Sequence, residues 1–302
     1  MIKVTILGVS SAKPTIGRHQ SSQVVNVNEQ YFLVDAGENA QRQMAQAGIS
    51  PLKIRKVFIS HLHGDHIFGL FPLLSTMNLL GRRTALEVYG PKNLGPMLDW
   101  YRTNFEVQTD FEVAFHEVDT TKYQKIFENR TMEVWSLPLR HQLPCTGYIF
   151  REKQKEKNVD KLAIEKYSLS IKDVLKAKQG EDILLPSGEV LKNESITFIK
   201  ELPRSYAYVS DTSRSMMVAR RISNVSVVYH EATYTQEFQK IARKRGHSSA
   251  LDAAQVAQRA GAERLYIGHF SSRYKDLTPL LEEAREFFPN CQLAKELETF
   301  TV

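Results

Sequence analysis

Lys56-Val57-Phe58-Ile59-Ser60 runs directly into His61-Leu62-His63-Gly64-Asp65-His66, so an apolar stretch is followed by three imidazoles and a carboxylate within six residues. An extended apolar run that empties into such a cluster puts metal-ligating side chains at the C-terminal end of a strand. His61 and His63 alternate, so both can point one way from an extended backbone. Asp65 and His66 follow on a turn that Gly64 eases, and they can face a second point in space. One ion would need further ligands, and the run divides into two pairs. The site therefore reads as dinuclear.

Outward from this point, short apolar strands alternate with helical patterns. Strands are expected at residues 4–7, 24–27, 31–34, 57–59, 86–89, 111–118, 132–137, 207–209, 225–229 and 264–267. Helices are expected at 39–47, 67–80, 94–103, 213–221, 235–242, 248–259 and 277–287, with Ser248 as a cap for the run 250–259. The alternation predicts an α/β layered domain over residues 1–302, and no stretch repeats another. Three further metal-ligating side chains stand where strands end. They are His141 after 135–139, Asp211 after 206–210, and His269 after 265–268. Histidine with carboxylate suits zinc, and manganese or iron as well.

The bulk properties bound the setting. The chain has 302 residues with a hydrophobic fraction of 42%, enough for a real core. Its net charge of +6 and pI near 9.1 point to a polyanionic partner. Cys145 and Cys291 do not make a disulfide framework. The opening residues read as a strand and not as a signal peptide. No apolar run approaches the roughly 20 residues of a membrane span. The expectation is a soluble protein of the cytoplasm with no membrane partner.

One segment departs in composition. Residues 151–178 hold nine Lys or Arg and five Asp or Glu, a net +4 in under a tenth of the chain. The segment lies between two runs that otherwise look ready to pair as strands. It reads as an inserted basic arm, bounded at 151–200, that projects as a solvated helix and loop. A solvated basic arm is also a phosphate-binding surface.

His-x-His-x-Asp-His, then a lone His, an Asp and a final His, resembles the metallo-β-lactamase superfamily. That resemblance implies a four-layer αββα sandwich with metals at one edge and hydrolysis as the chemistry. Carried over by position, His61, His63 and His141 would hold one zinc ion, Asp65, His66 and His269 a second, and Asp211 would bridge them. Two ions a few ångströms apart make water nucleophilic near neutral pH and clamp the attacking and leaving oxygens.

Five further segments resemble the ribonuclease Z family of tRNA 3′-processing endonucleases. They are Pro14-Thr15 with Arg18-His19-Gln20-Ser21-Ser22, then Ser210-Asp211-Thr212, His230-Glu231-Ala232-Thr233, Gly246-His247-Ser248-Ser249, and Gly268-His269-Phe270-Ser271-Ser272-Arg273-Tyr274. Where the family usually reads Pro-x-Lys-x-Arg-Asn, this chain has Pro14-Thr15-Ile16-Gly17-Arg18-His19. The resemblance implies that Asp65 accepts a proton from the attacking water, that His247 protonates the leaving 3′ oxygen, and that Glu231 orients His247. It implies precursor tRNA as substrate and a homodimer in which one subunit's arm serves the other's active site. Substrate contacts are expected from Arg18, Ser271 and Arg273 near the metals, and from Lys153, Lys155, Lys157 and Lys161 on the arm. The alternative is a phosphodiesterase or nuclease of the same fold with another substrate.

Overall fold

The computed structural model describes residues 1–105 and 109–302. These divide into two compact units, Met1–Arg151 with Arg204–Val302, and Glu152–Pro203.

The larger unit is built on two seven-stranded sheets. The first contains β1 (Ile2–Gly8), β2 (Ser22–Val27), β3 (Gln30–Ala36), β4 (Ile54–Phe58), β5 (Leu86–Gly90) and β6 (Val113–Glu117). The second contains β7 (Gln124–Glu128), β8 (Met132–Leu139), β9 (Cys145–Glu152), β10 (Ser205–Val209), β11 (Val227–Glu231), β12 (Arg264–Gly268) and β13 (Cys291–Leu293). The chain then returns to the first sheet as β14 (Thr299–Thr301). The strand orders are β14-β1-β2-β3-β4-β5-β6 and β13-β12-β11-β10-β9-β8-β7. Pairing is parallel from β3 through β6 and from β10 through β13. In parallel sheets the loops at the carboxyl ends of the strands gather along one edge, and that edge carries the site.

Side-chain alternation assigns the layers. In β3 and β4, Phe32, Val34 and Phe58 point between the sheets, where they meet Tyr148, Phe150 and Tyr206 of the second sheet. Phe58 lies 5.2 Å from the ring of Tyr148 and 5.6 Å from that of Phe150. The alternate residues Leu33 and Val57 point outward, under Met44, Leu73, Met77 and Leu98 of the helices Ala40–Gln46, Leu70–Leu79 and Leu94–Asn104. Small residues close the other outer layer. Ala253 and Ala257 of the helix Ala250–Ala260, with Leu280 and Ala284 of Thr278–Phe287, pack in the same core as Val228 and Leu265. Period-2 strands thus feed two apolar layers at once, which gives the expected αββα stacking.

The structure corrects the sequence reading in several places. Strands β7, β9, β13 and β14 were not expected. The helix expected over 67–80 is two pieces, the turn Gly64–Ile67 and the helix Leu70–Leu79. Between them Gly69 lies against the Gly37 carbonyl oxygen, and a Cβ there would stand 2.0 Å from it. The helix expected from Ser248 begins at Ala250. Its cap is Ser249, in a reciprocal pair with Asp252, while the Ser248 hydroxyl donates to the Thr212 carbonyl at 2.6 Å. The smaller unit is more than a helix and loop. Its helices Lys161–Lys166 and Ile171–Lys178 and two short strand pairs enclose a core of their own, with Ala163, Leu169, Ala177, Ile183, Leu191 and Ile196. That core draws on residues beyond 178, and the unit runs to Pro203.

Candidate metal centre and catalytic cleft

Each side chain expected to ligate metal stands just past a strand end in the larger unit. His61 and His63 follow β4, and the helical turn Gly64–Ile67 swings Asp65 and His66 to the same side. His141 follows β8, Asp211 follows β10 and His269 follows β12. Their ligand atoms gather into two groups, His61, His63, His141 with Asp211, and Asp65, His66 with His269, each within 4.8 Å across. In the first group His63 Nδ1 is 3.0 Å from His61 Nε2 and 3.1 Å from His141 Nε2. In the second His66 Nε2 is 3.4 Å from His269 Nε2, and Asp65 Oδ2 is 3.5 Å from both. Nitrogens held about 2.0–2.1 Å from one tetrahedral ion stand about 3.3 Å apart, so these spacings suit a shared ion.

Asp211 lies between the groups. Its Oδ2 is 3.7 Å from His61 Nε2 and 3.8 Å from His141 Nε2. Its Oδ1 is 3.2 Å from His269 Nε2 and 3.6 Å from His66 Nε2. The residue is buried, and among the described residues Oδ1 has no hydrogen-bond donor. A buried carboxylate oxygen without a partner is costly unless a cation completes it. The residues present therefore fit a metal centre.

The outer ring nitrogens are fixed as such a centre requires. His66 Nδ1 donates to Asp35 Oδ2 at 2.7 Å, and His141 Nδ1 donates to the Gly246 carbonyl at 2.8 Å. The Ser60 hydroxyl donates to Asp35 Oδ2, so it accepts from His61 Nδ1 at 3.0 Å. The Thr233 hydroxyl donates to Glu231 Oε2, so it accepts from His269 Nδ1 at 2.8 Å. In all four residues the network assigns the proton to Nδ1 and turns the Nε2 lone pair inward. Burial and the neighbouring imidazoles hold His61 well below the usual histidine range, in the neutral form that ligates. Burial opposes charge on His66 as well, yet Asp211, Asp65 and Asp35 outweigh it and raise its pKa. The carboxylates thus favour a positive charge at this point, carried by a proton or by a cation.

Beside this cluster stands a second constellation. Glu231 is fully buried and its Oε1 accepts from Thr212 N, Ser248 N and His247 Nδ1 at 3.1, 3.0 and 3.0 Å. With Nδ1 held there, Nε2 is the His247 atom left to serve the cleft. Burial works against a charged His247, but Glu231 and Asp211 override it and push its pKa up to about 9. The imidazole is therefore an acid at neutral pH. A cleft of about 860 Å³ opens over these groups, lined by His63, Asp65, Asp211, His247 and His269. Such an arrangement can bind a phosphoryl group, activate water and protonate a leaving oxygen.

Residues 2–154 match the family profile described as Anti-Pycsar protein Apyc1, a match that ends before Asp211 and His269. Longer matches cover the whole site. A ribonuclease Z of Bacteroides fragilis is 40% identical over 96% of this chain and 96% of its own, and one of Porphyromonas gingivalis is 38% identical over 97% and 96%. The chain belongs to the ribonuclease Z family. Among solved structures, the short form of human tRNase Z aligns with a TM-score of 0.72 and 22% identity, covering 99% of this chain and 98% of that one. At that identity the agreement is one of fold.

Within this ribonuclease Z frame, the residues expected to contact substrate fall into three places. Ser271 and Arg273 line the cleft. The Arg18 guanidinium donates to the carbonyls of Tyr274 at 2.8 Å and Ser271 at 3.4 Å, so it braces the loop that carries Arg273. Lys153, Lys155, Lys157 and Lys161 belong to the smaller unit, where Lys155 pairs with Glu201 at 2.5 Å and Lys157 donates to Asn193 at 2.7 Å. Sequence reasoning missed Asp35. It is fully buried, and besides His66 it receives Ser60 N, the Ser60 hydroxyl and the Tyr208 hydroxyl. Asp35 and His269 both hold left-handed backbone, at φ 53° and 58°, a strain that tends to gather at functional sites. An acid followed by Ala36-Gly37 at the end of an apolar run was the available signal for Asp35.

Proposed function

We propose that this protein is a metal-dependent endoribonuclease that removes the 3′ trailer from precursor tRNA, leaving a 3′-hydroxyl on the tRNA and a 5′-phosphate on the trailer. One arrangement carries the reading, in a chain of the ribonuclease Z family. Asp211 turns one oxygen to each histidine group, beside a His247 held by the buried carboxylate of Glu231. His61, His63 and His141 would hold one ion, Asp65, His66 and His269 the other, with Asp211 shared between them. The His and carboxylate set suits two zinc ions per chain, and manganese or iron as well. Two such ions supply Lewis-acid stabilisation of the charge that develops on the phosphoryl oxygens and make water nucleophilic.

The chain's own groups then divide the proton transfers. Asp65 accepts the proton of the attacking water as its oxygen bonds to phosphorus. His247 Nε2 gives its proton to the ribose 3′ oxygen as the P–O bond breaks, and Glu231 stabilises the charged ring until that moment. Arg18 acts through the Ser271–Arg273 loop, and Ser271 and Arg273 meet the RNA beside the metals. Lys153, Lys155, Lys157 and Lys161 of the smaller unit bind tRNA phosphates, in a homodimer. Incubation of the metal-loaded protein with a precursor tRNA carrying a 3′ trailer, with both product ends mapped, tests the reading. The expected products are a 3′-hydroxyl tRNA and a 5′-phosphorylated trailer. An intact precursor, alongside hydrolysis of small diesters, would assign the site to another phosphodiester.

A further inference from the structure

Tyr234 holds two guanidiniums over one wall of the cleft. Its ring is buried, and its backbone is tied to the His247 loop through Tyr234 N to Ser248 O at 3.3 Å and Ala250 N to Tyr234 O at 2.9 Å. Its hydroxyl accepts from Arg245 at 3.2 Å. The Arg273 guanidinium lies 5.4 Å from the centre of its ring and 4.2 Å from that of Phe238. Tyr234, Arg245 and Arg273 all line the cleft that contains His247 and Asp211. Neither arginine has an acidic partner among the described residues.

A cation at the end of a helix has an ordinary explanation. Arg245 closes the helix Gln239–Arg245, where the helix dipole favours Arg243, Lys244 and Arg245 alike. That explanation does not account for the Arg245 head group turning onto a buried hydroxyl at the cleft wall, nor for a second guanidinium stacked on the same ring. Stacking and hydrogen bonding orient the planar fork of arginine and leave its remaining donors facing outward, the geometry that binds phosphate oxygens in pairs. The rings of Tyr234 and His247 are 6.2 Å apart, so the pair of guanidiniums sits beside the reacting point.

We infer that Arg245 and Arg273, set in place by Tyr234, form a clamp for a backbone phosphate of the RNA strand adjacent to the scissile one. The inference rests on the endoribonuclease reading and adds to it a subsite, with Arg245 as a binding residue and Tyr234 as a positioning residue. The exposed Lys240, Arg243 and Lys244 on the same helix carry the positive field onward from the clamp along the strand's path.

The test compares Arg245→Ala and Tyr234→Phe with a charge-matched control, Arg259→Ala, which lies on another helix and outside the cleft. Tyr234→Phe keeps the ring beneath Arg273 and removes only the anchor of Arg245. Three readouts are taken on the metal-loaded protein: binding of a short fluorescent single-stranded RNA across a salt titration, kcat and KM on precursor tRNA, and hydrolysis of bis-p-nitrophenyl phosphate. Arg245→Ala is expected to weaken RNA binding roughly tenfold at low salt and to lower the slope of log K against log salt by about 0.7, the loss of one phosphate contact on a single strand. KM for precursor tRNA rises with kcat unchanged, and Tyr234→Phe moves both readouts the same way by a smaller factor. Small-diester hydrolysis and all values for Arg259→Ala stay at wild type. An unchanged salt slope in Arg245→Ala overturns the clamp. An equal loss on the small diester overturns it too, by placing Arg245 at the scissile phosphate. A wild-type protein that leaves precursor tRNA intact would sink the tRNA reading, and the RNA-binding measurement would still decide the clamp.

Discussion

Removing Asp211 and removing His269 should have different consequences for metal content. Asp211 turns an oxygen to each histidine group, whereas His269 reaches only one. On the proposed assignment, Asp211→Ala loses both ions and His269→Ala loses mainly one. Atomic emission on the purified variants counts them, and loss of a single ion from both would sink the shared-ligand role. His247→Ala tests the acid. It should keep its metals yet cleave RNA on the order of 10²–10⁴-fold more slowly. An ester with a nitrophenolate leaving group needs no proton and should suffer far less; equal losses on both substrates would remove His247 from that role. The gathering of these side chains was legible in the sequence because three imidazoles and an acid crowd into six residues, a density that folding alone does not call for. Asp35 was not, because one acid at a strand end is the commonest of turn residues. Its importance comes from four donors that the fold brings to it from Ser60, His66 and Tyr208.

At the scale of elements, β4 and β5 pair in parallel with Lys56 opposite Glu87. The ammonium bonds the carboxylate and lies 4.3 Å from the ring centre of Phe127 on β7. Burial works to raise the pKa of Glu87, but hydrogen bonds from Lys56 and Tyr89 prevail and hold it below the usual carboxylate range. A carboxyl lowered in the folded state contributes stability above its ordinary pKa of about 4.5 and loses it as pH falls through the lower folded value. Glu87→Gln should therefore be less stable than wild type at neutral pH, by less than about 1 kcal/mol given the partial exposure of the pair, and the gap should close in acid. Denaturant titrations at neutral and acid pH check this, and a gap that widens in acid would contradict it. Strands with alternating or continuous apolar runs, such as β1 to β5, could be read from pattern alone. β7 could not, because Gln124-Lys125-Ile126-Phe127-Glu128 is polar at both ends. β9 was not assigned, although Thr146, Tyr148, Ile149 and Phe150 favour a strand, because Gly147 interrupts the run. Tertiary packing sets Gly147, since a Cβ there would come within 2.5 Å of the Tyr208 carbonyl oxygen.

For the molecule as a whole, the basic stretch was visible in its charge, but the core that holds it was not. Ile183, Leu191 and Ile196 are scattered apolar residues in a polar context, without periodicity until the unit is folded. A deletion confined to 151–178 would cut through that core, so the clean excision is Glu152–Pro203. It is feasible because Arg151 and Ser205 are cross-strand partners in the antiparallel pair of β9 and β10, and a short turn can join them. The excised protein should hydrolyse small diesters at the wild-type rate and show a raised KM for precursor tRNA with a reduced salt slope. An unaltered KM and slope would show that the unit does not meet the substrate. The same adjacency has a meaning beyond this experiment. The chain leaves the sheet and re-enters it one residue pair away, so the body requires of its insert only that the two ends meet. Loop closure rises by about 0.6 kcal/mol for each doubling of length, a weak penalty on size. In evolutionary terms the unit is an exchangeable attachment. An insert of another size or sequence can take its place at the same residue pair without redrawing the sheet.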